Sequence, residues 1–187
     1  SNKAVDWDAT MNAEYSVSTF PSAVPLMLGS AAFVFLNFAL PVYARELGAS
    51  ATAIGGTYTI FTITLVFARP LVGVALDRYG RRRFYVAAFA FYAISMVVFA
   101  AGQGLSGLYL ARLLQGIGAA LLWVSLKTMT ADLHPVGARG EAMGRISALS
   151  VRGSMLGAFY GFTLISMLPM SVAWRWAFLG YAILAAL

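Results

Sequence analysis

The sequence predicts an all-α membrane protein, a bundle of six transmembrane helices, and three observations carry that expectation. Of 187 residues, 60% are apolar and 11% are charged, whereas a soluble domain has about 25% charged residues. The apolar residues gather in blocks of roughly eighteen or more, and about 20 such residues cross a hydrocarbon core some 30 Å thick. Most charges fall in the short stretches between those blocks, so the mean hydropathy of +0.78 reflects spans rather than a diluted soluble core.

Residues 1–19 are polar, with Lys3, Asp6, Asp8 and Glu14, and lack the basic start and small-residue cleavage site of a signal peptide. They read as a short cytoplasmic tail, in part a remnant of cloning. Residues 20–187 form the bundle. The first span is expected over Phe20 to Val42, the second over Ala51 to Leu71 and the third over Phe84 to Ala101, each bounded by glycine, proline or charge. The fourth runs from Leu105 to Met129 and the fifth from Ala142 to Met167. The sixth opens near Ala173 and is still apolar at Leu187. The turns at Gly102–Gly104 and Pro169–Val172 are so short that the spans they join must be antiparallel hairpins.

Lysine and arginine near span ends are retained in the cytoplasm. Lys3, Arg69, Arg78, Arg81, Arg82, Arg83, Lys127, Arg139 and Arg145 fall on one side, with Arg45 and Arg175 on the other. The amino terminus is therefore expected in the cytoplasm of a multi-pass inner-membrane protein. The same placement accounts for the net charge of +6 without nucleic acid as a partner.

Composition also excludes chemistries. The chain has no cysteine, hence no disulfide, thiolate metal site or cysteine nucleophile. Its single histidine, His134, lies between spans, and there are only seven carboxylates. Nothing supplies a nucleophile–base pair, a metal cluster or a cofactor site, so an enzyme is not expected.

The stretch Gly73-Val74-Ala75-Leu76-Asp77-Arg78-Tyr79-Gly80-Arg81-Arg82-Arg83 resembles the loop signature of the major facilitator superfamily, at the place where that family carries it, between spans 2 and 3. Gly73 would permit close helix approach, Gly80 a positive φ, and Asp77 contact with a helix amino terminus or an arginine. The resemblance implies that Gly73, Asp77, Arg78, Gly80 and Arg81 belong to a latch that joins two halves on the cytoplasmic side when the transporter faces outward. The plainer alternative makes the arginines topology anchors and Asp77 a turn residue.

Span 4 carries Arg112-Leu113-Leu114-Gln115-Gly116-Ile117-Gly118, similar to the family's second signature, whose arginine is linked to proton coupling. Arg112 lies roughly 10 Å from the outer end of its span, and a guanidinium there requires water, carbonyls or an acid, unless it snorkels outward. Gly116 and Gly118 suit close packing. Asp132-Leu133-His134-Pro135, Arg139-Gly140-Glu141 and Trp174-Arg175-Trp176 extend the resemblance over spans 1 to 6. Span 5 departs from the drug-antiporter pattern of glycine and proline, reading Gly157-Ala158-Phe159-Tyr160-Gly161-Phe162, but Gly153, Gly157 and Gly161 still make a stripe for close packing.

Asn37, Tyr58, Thr59, Thr62, Gln115 and Ser125 are the polar residues placed to line a cavity, although serine and threonine in such helices are often bonded back to their own helix. Arg152 lies roughly 15 Å into span 5, where snorkelling fails. It is expected to join Arg112 as a positive site for an anionic or zwitterionic solute, the alternative being an acid in the other half of the protein.

The resemblance implies the amino-terminal half of a major-facilitator fold, a fragment of a protein about twice as long, or a half-size subunit that pairs with a second copy. The implied function is secondary transport of a small drug or metabolite by alternating access, with export favoured. Arginine keeps its proton at physiological pH, so if transport is proton-coupled the titrating acid belongs to the missing carboxyl-terminal half. The competing expectation is a non-transporting receptor or assembly scaffold derived from a transporter.

Overall fold

A computed structural model describes residues 23–102 and 104–186; the polar tail expected over residues 1–19 lies outside them. Among the described residues seven α-helices follow one another: α1 (Ala23–Gly29), α2 (Ala32–Glu46), α3 (Ala51–Tyr79), α4 (Arg81–Ala101), α5 (Leu105–Leu133), α6 (Arg139–Met167) and α7 (Met170–Ala186), with a 3-10 turn at Val136–Ala138 before α6. Five segments among the described residues are long and apolar enough to cross a bilayer, α1 and α2 together making the first, and α7 is a shorter apolar helix.

The first expected span is thus broken. At Ser30 the backbone tightens, with Ala31 N–H bonding Leu28 O at 3.1 Å and Phe33 N–H bonding Ser30 O at 3.1 Å, three residues apart rather than four. The Ser30 hydroxyl donates to Leu26 O at 2.8 Å, sharing a carbonyl that Ser30 N–H also bonds at 3.1 Å. Span 2 also differs. The helix continues through Pro70 to Tyr79, so Gly73, Asp77 and Arg78 are helical rather than looped. Gly80 ends α3 at φ +86° and α4 starts at once, a conformation that glycine adopts without steric cost.

Lipid is as apolar as leucine, so helices in it associate by packing and hydrogen bonds rather than by hydrophobic transfer. Small residues set the approach here. The tight α4–α5 hairpin brings Gly102 against the Gly107 backbone, α3 packs on α5, and α7 on α4. Helix α6 lies on the α1–α2 break: a side chain at Gly153 would strike the Met27 backbone, one at Gly157 the Ala31 backbone, and one at Gly161 the Phe35 ring and the Tyr181 hydroxyl. The expected stripe is therefore the seam between α6 and the first span. Helix α5 is the most enclosed of the set. Along α3, by contrast, Phe67, Leu71 and Val74 are exposed, a surface suited to lipid.

Two apolar clusters fill the bundle. One gathers Phe35, Tyr43, Phe99, Trp174, Phe178 and Tyr181, with Tyr43 stacked on Trp174 at 4.1 Å and Phe99 on Phe178 at 4.9 Å. Two of these rings have their polar edges satisfied, Trp174 Nε1 donating to Phe99 O at 2.8 Å and the Tyr181 hydroxyl to Gly157 O at 2.6 Å. The other cluster packs Leu26, Val72, Leu76, Tyr85, Leu122, Leu126 and Ile146 between the opposite ends of the helices.

Candidate functional site

Arg112 is the charged centre of the bundle interior. Helix α5 carries Ala111, Arg112, Gln115, Gly116 and Ala119 on its buried side, and Gly116 has no room for a side chain against Thr64 and the Phe61 carbonyl. That contact draws α3 close enough for its aromatic rings to receive the guanidinium. Arg112 is 3% exposed, with its Cζ 4.7 Å from the Tyr58 ring centroid and 5.5 Å from that of Phe61. Its Nη1 donates to Gln115 Oε1 at 3.0 Å, whereas Nε and Nη2 are buried without a hydrogen-bond partner among the described residues. The side chain turns inward instead of snorkelling. Cation–π contacts compensate part of its desolvation, and two donors remain for an acceptor that the bundle does not supply.

The expected polar residues divide around this centre. The Tyr58 hydroxyl donates to Asn37 O at 3.0 Å, so Asn37, Tyr58, Arg112 and Gln115 form one linked set across α2, α3 and α5, with the Asn37 amide donating to Phe33 O at 3.0 Å. Thr62 stands apart, exposed on α3, and Thr59 is bonded back to Gly55 O at 3.1 Å. Ser125 is buried, and its hydroxyl has no partner among the described residues. Arg152 is not brought to Arg112. It is exposed on α6 beside Val151, Met155 and Leu156, and no acid pairs with it among the described residues.

The structure also gathers residues that the sequence did not single out. Ser30 and Ser150 oxygens are 2.8 Å apart, and the Ser154 hydroxyl reaches Ser30 O at 3.0 Å and Ser150 O at 2.8 Å. The signal was present, since Ser150 and Ser154 repeat at four residues beside the glycine stripe, but their partner lies about 120 positions earlier.

At the end carrying Gly80, the latch residues are arranged differently from the expectation. Asp77 and Arg78 are exposed; Asp77 meets neither an arginine nor a helix amino terminus among the described residues, and Arg78 lies 5.7 Å from the neighbouring Tyr79 ring. Gly73 faces open space rather than a close helix. The ion pair is made instead by Arg81, which binds Asp132 and so ties the α3–α4 turn to the end of α5. Beyond it, Arg139 Nε donates to His134 O at 3.2 Å, and Arg145 pairs with Glu141 at 2.5 Å.

Among the described residues, five helical segments long and apolar enough to cross a membrane surround an interior arginine, the make-up of a multi-pass membrane protein. The model of the Major Facilitator Superfamily matches residues 23–187, and the chain belongs to that superfamily of transporters, not to an enzyme class. It is 32% identical over 133 residues to Multidrug resistance protein 1 of Bacillus subtilis (strain 168), covering 70% of this chain and 34% of the relative. It is 30% identical over 159 residues to the MFS-type transporter gkaD of Penicillium citrinum, 83% of this chain and 26% of that protein. With Quinolone resistance protein NorA of Staphylococcus aureus it shares 26% identity over 122 residues, 65% of this chain and 31% of the relative. The chain spans between about a quarter and a third of the length of these relatives.

Proposed function

We propose that this chain is the amino-terminal six-helix half of a secondary transporter of the cytoplasmic membrane, which exports a small solute by alternating access against a second six-helix half. The observation that carries the reading is Arg112. A central arginine costs about 2.5–3.5 kcal/mol on insertion scales, and this one is held over two aromatic rings with two donors open, a charge placed for use rather than for stability. Export accords with relatives whose names speak of multidrug and quinolone resistance.

In this reading the exposed Arg152 faces the second half and offers a bidentate donor set to a carboxylate or phosphate of an anionic or zwitterionic solute. The Gly80 turn and the Arg81–Asp132 pair belong to the cytoplasmic latch, with Asp77 turned outward for the partner half. The acid of a proton-coupled cycle belongs to that half as well.

The test is solute flux in vesicles reconstituted with the full-length protein, comparing labelled anionic, zwitterionic and cationic solutes. Gradient-driven flux that falls at least tenfold in Arg112→Gln is expected; binding without flux would identify a receptor instead. Orientation is tested in the cysteine-free chain with single cysteines at Arg82 and Ser106, both exposed. An impermeant maleimide on intact cells should label the second only.

A further inference from the structure

Gln115 touches two environments, and its chemistry is set by the first. Arginine has N–H donors and no acceptor, so the atom of Gln115 held by Arg112 Nη1 must be the amide oxygen. That leaves the amide nitrogen, with two N–H donors, for the other side, where Gln115 lines a recess of about 100 Å³ with Ser30, Phe33, Tyr92, Trp123 and Ser150. Gly29, Ser30, Ala32 and Phe33, around the turn between α1 and α2, form one wall of it.

The serine hydrogens are already committed. Ser30 gives its hydroxyl hydrogen to Leu26 O, so its oxygen receives that of Ser150, while Ser154 donates to backbone carbonyls. The side-chain donors of the lining for which no hydrogen bond is found among the described residues are the Gln115 amide nitrogen, the Tyr92 hydroxyl and the Trp123 ring nitrogen. No carboxylate is among the residues that line the recess, and Gln115 is itself held by the Arg112 guanidinium. Open donors backed by a positive charge in a low-dielectric interior favour an oxygen acceptor and disfavour a cation. Phe33, more than half exposed, is the most exposed of its lining residues, and Met96 adds an apolar side chain to the lining.

We propose that this recess is a subsite for one uncharged carbonyl-bearing ring of the transported solute, with the carbonyl oxygen accepting from the Gln115 amide. The volume is about three times that of a water in the liquid and below the roughly 300 Å³ at which drug-sized pockets begin, so a single substituent enters while the rest of the solute stays outside. The inference rests on the transporter reading above and names a chemical preference within it.

Benzamide and benzylammonium, equal in ring and differing at the polar group, are the probes. Their Kd values are measured by ligand-observed NMR on the full-length protein in lipid nanodiscs. The parent should bind benzamide more tightly. Gln115→Glu keeps an acceptor for Arg112 but removes both donors, and should weaken benzamide about tenfold, the scale of one lost hydrogen bond, without weakening benzylammonium. Ser150→Val fills the recess and should weaken both probes. Unchanged benzamide binding in either folded variant, or a parent that prefers benzylammonium, overturns the subsite. Normal solute flux alongside that result would leave the transporter reading standing, whereas intact probe binding without any flux would leave the subsite and remove the transporter.

Discussion

Arg112 and Arg152 are the same side chain, each set well inside a helix of 29 residues, yet they end in opposite surroundings. Arg112 is enclosed over Tyr58 and Phe61; Arg152 is exposed among apolar neighbours. Depth along the helix does not separate them, but rotation about it does. On α5 the arginine shares a face with Gln115, Gly116 and Ala119, at three, four and seven residues, all buried. On α6 the buried face is Gly153, Gly157 and Gly161, and Arg152 stands one residue, about 100°, away from it. The α6 glycines accept the backbone of the first span, and that contact sends Arg152 outward.

The contrast breaks most completely at the glycine seam. Gly157→Leu places a side chain into the Ala31 backbone, beyond the about 1–3 kcal/mol typical of overpacking, because backbone cannot step aside. Loss of monodisperse protein in detergent is expected; a normal melting temperature would show that α6 is not docked on the α1–α2 break.

Arg112→Met removes a buried charge with unmet donors. Transport should fall at least tenfold, while stability stays level or rises by about 1 kcal/mol, as when buried ions are replaced by apolar residues of similar volume. A fall in melting temperature would mean that the aromatic contacts outweigh desolvation. Arg152→Gln should leave melting and expression unchanged and weaken solute binding several-fold, with Arg152→Lys recovering part of it. Loss of folded protein in both variants would show that Arg152 is a packing partner of the other half.

The smallest effect is expected at the half-exposed Arg81–Asp132 pair, where such bridges contribute about 0–1 kcal/mol. A double-mutant cycle with Arg81→Ala and Asp132→Ala should give a coupling below about 1 kcal/mol in thermal melts but a larger one in transport rate. Equal coupling in both would make the pair a plain surface bridge.

Much of this molecule was legible without coordinates. Span length and hydropathy located six apolar blocks, since a bilayer imposes one thickness on every helix. Gly80 announced its turn because a positive φ is a local property, and the Gly153–Gly157–Gly161 stripe announced a seam, since small residues are what lets backbones meet in lipid. Tertiary structure alone decided the break at Ser30, the choice of Asp132 over Asp77 by nearby arginine, the inward turn of Arg112 and the recess behind Gln115. The reason is physical. In water, a helix shows its buried face by the polarity of the other one, but in lipid both faces are apolar, so the sequence determines where each helix lies along the membrane normal and leaves its rotation, and every contact between distant segments, to packing.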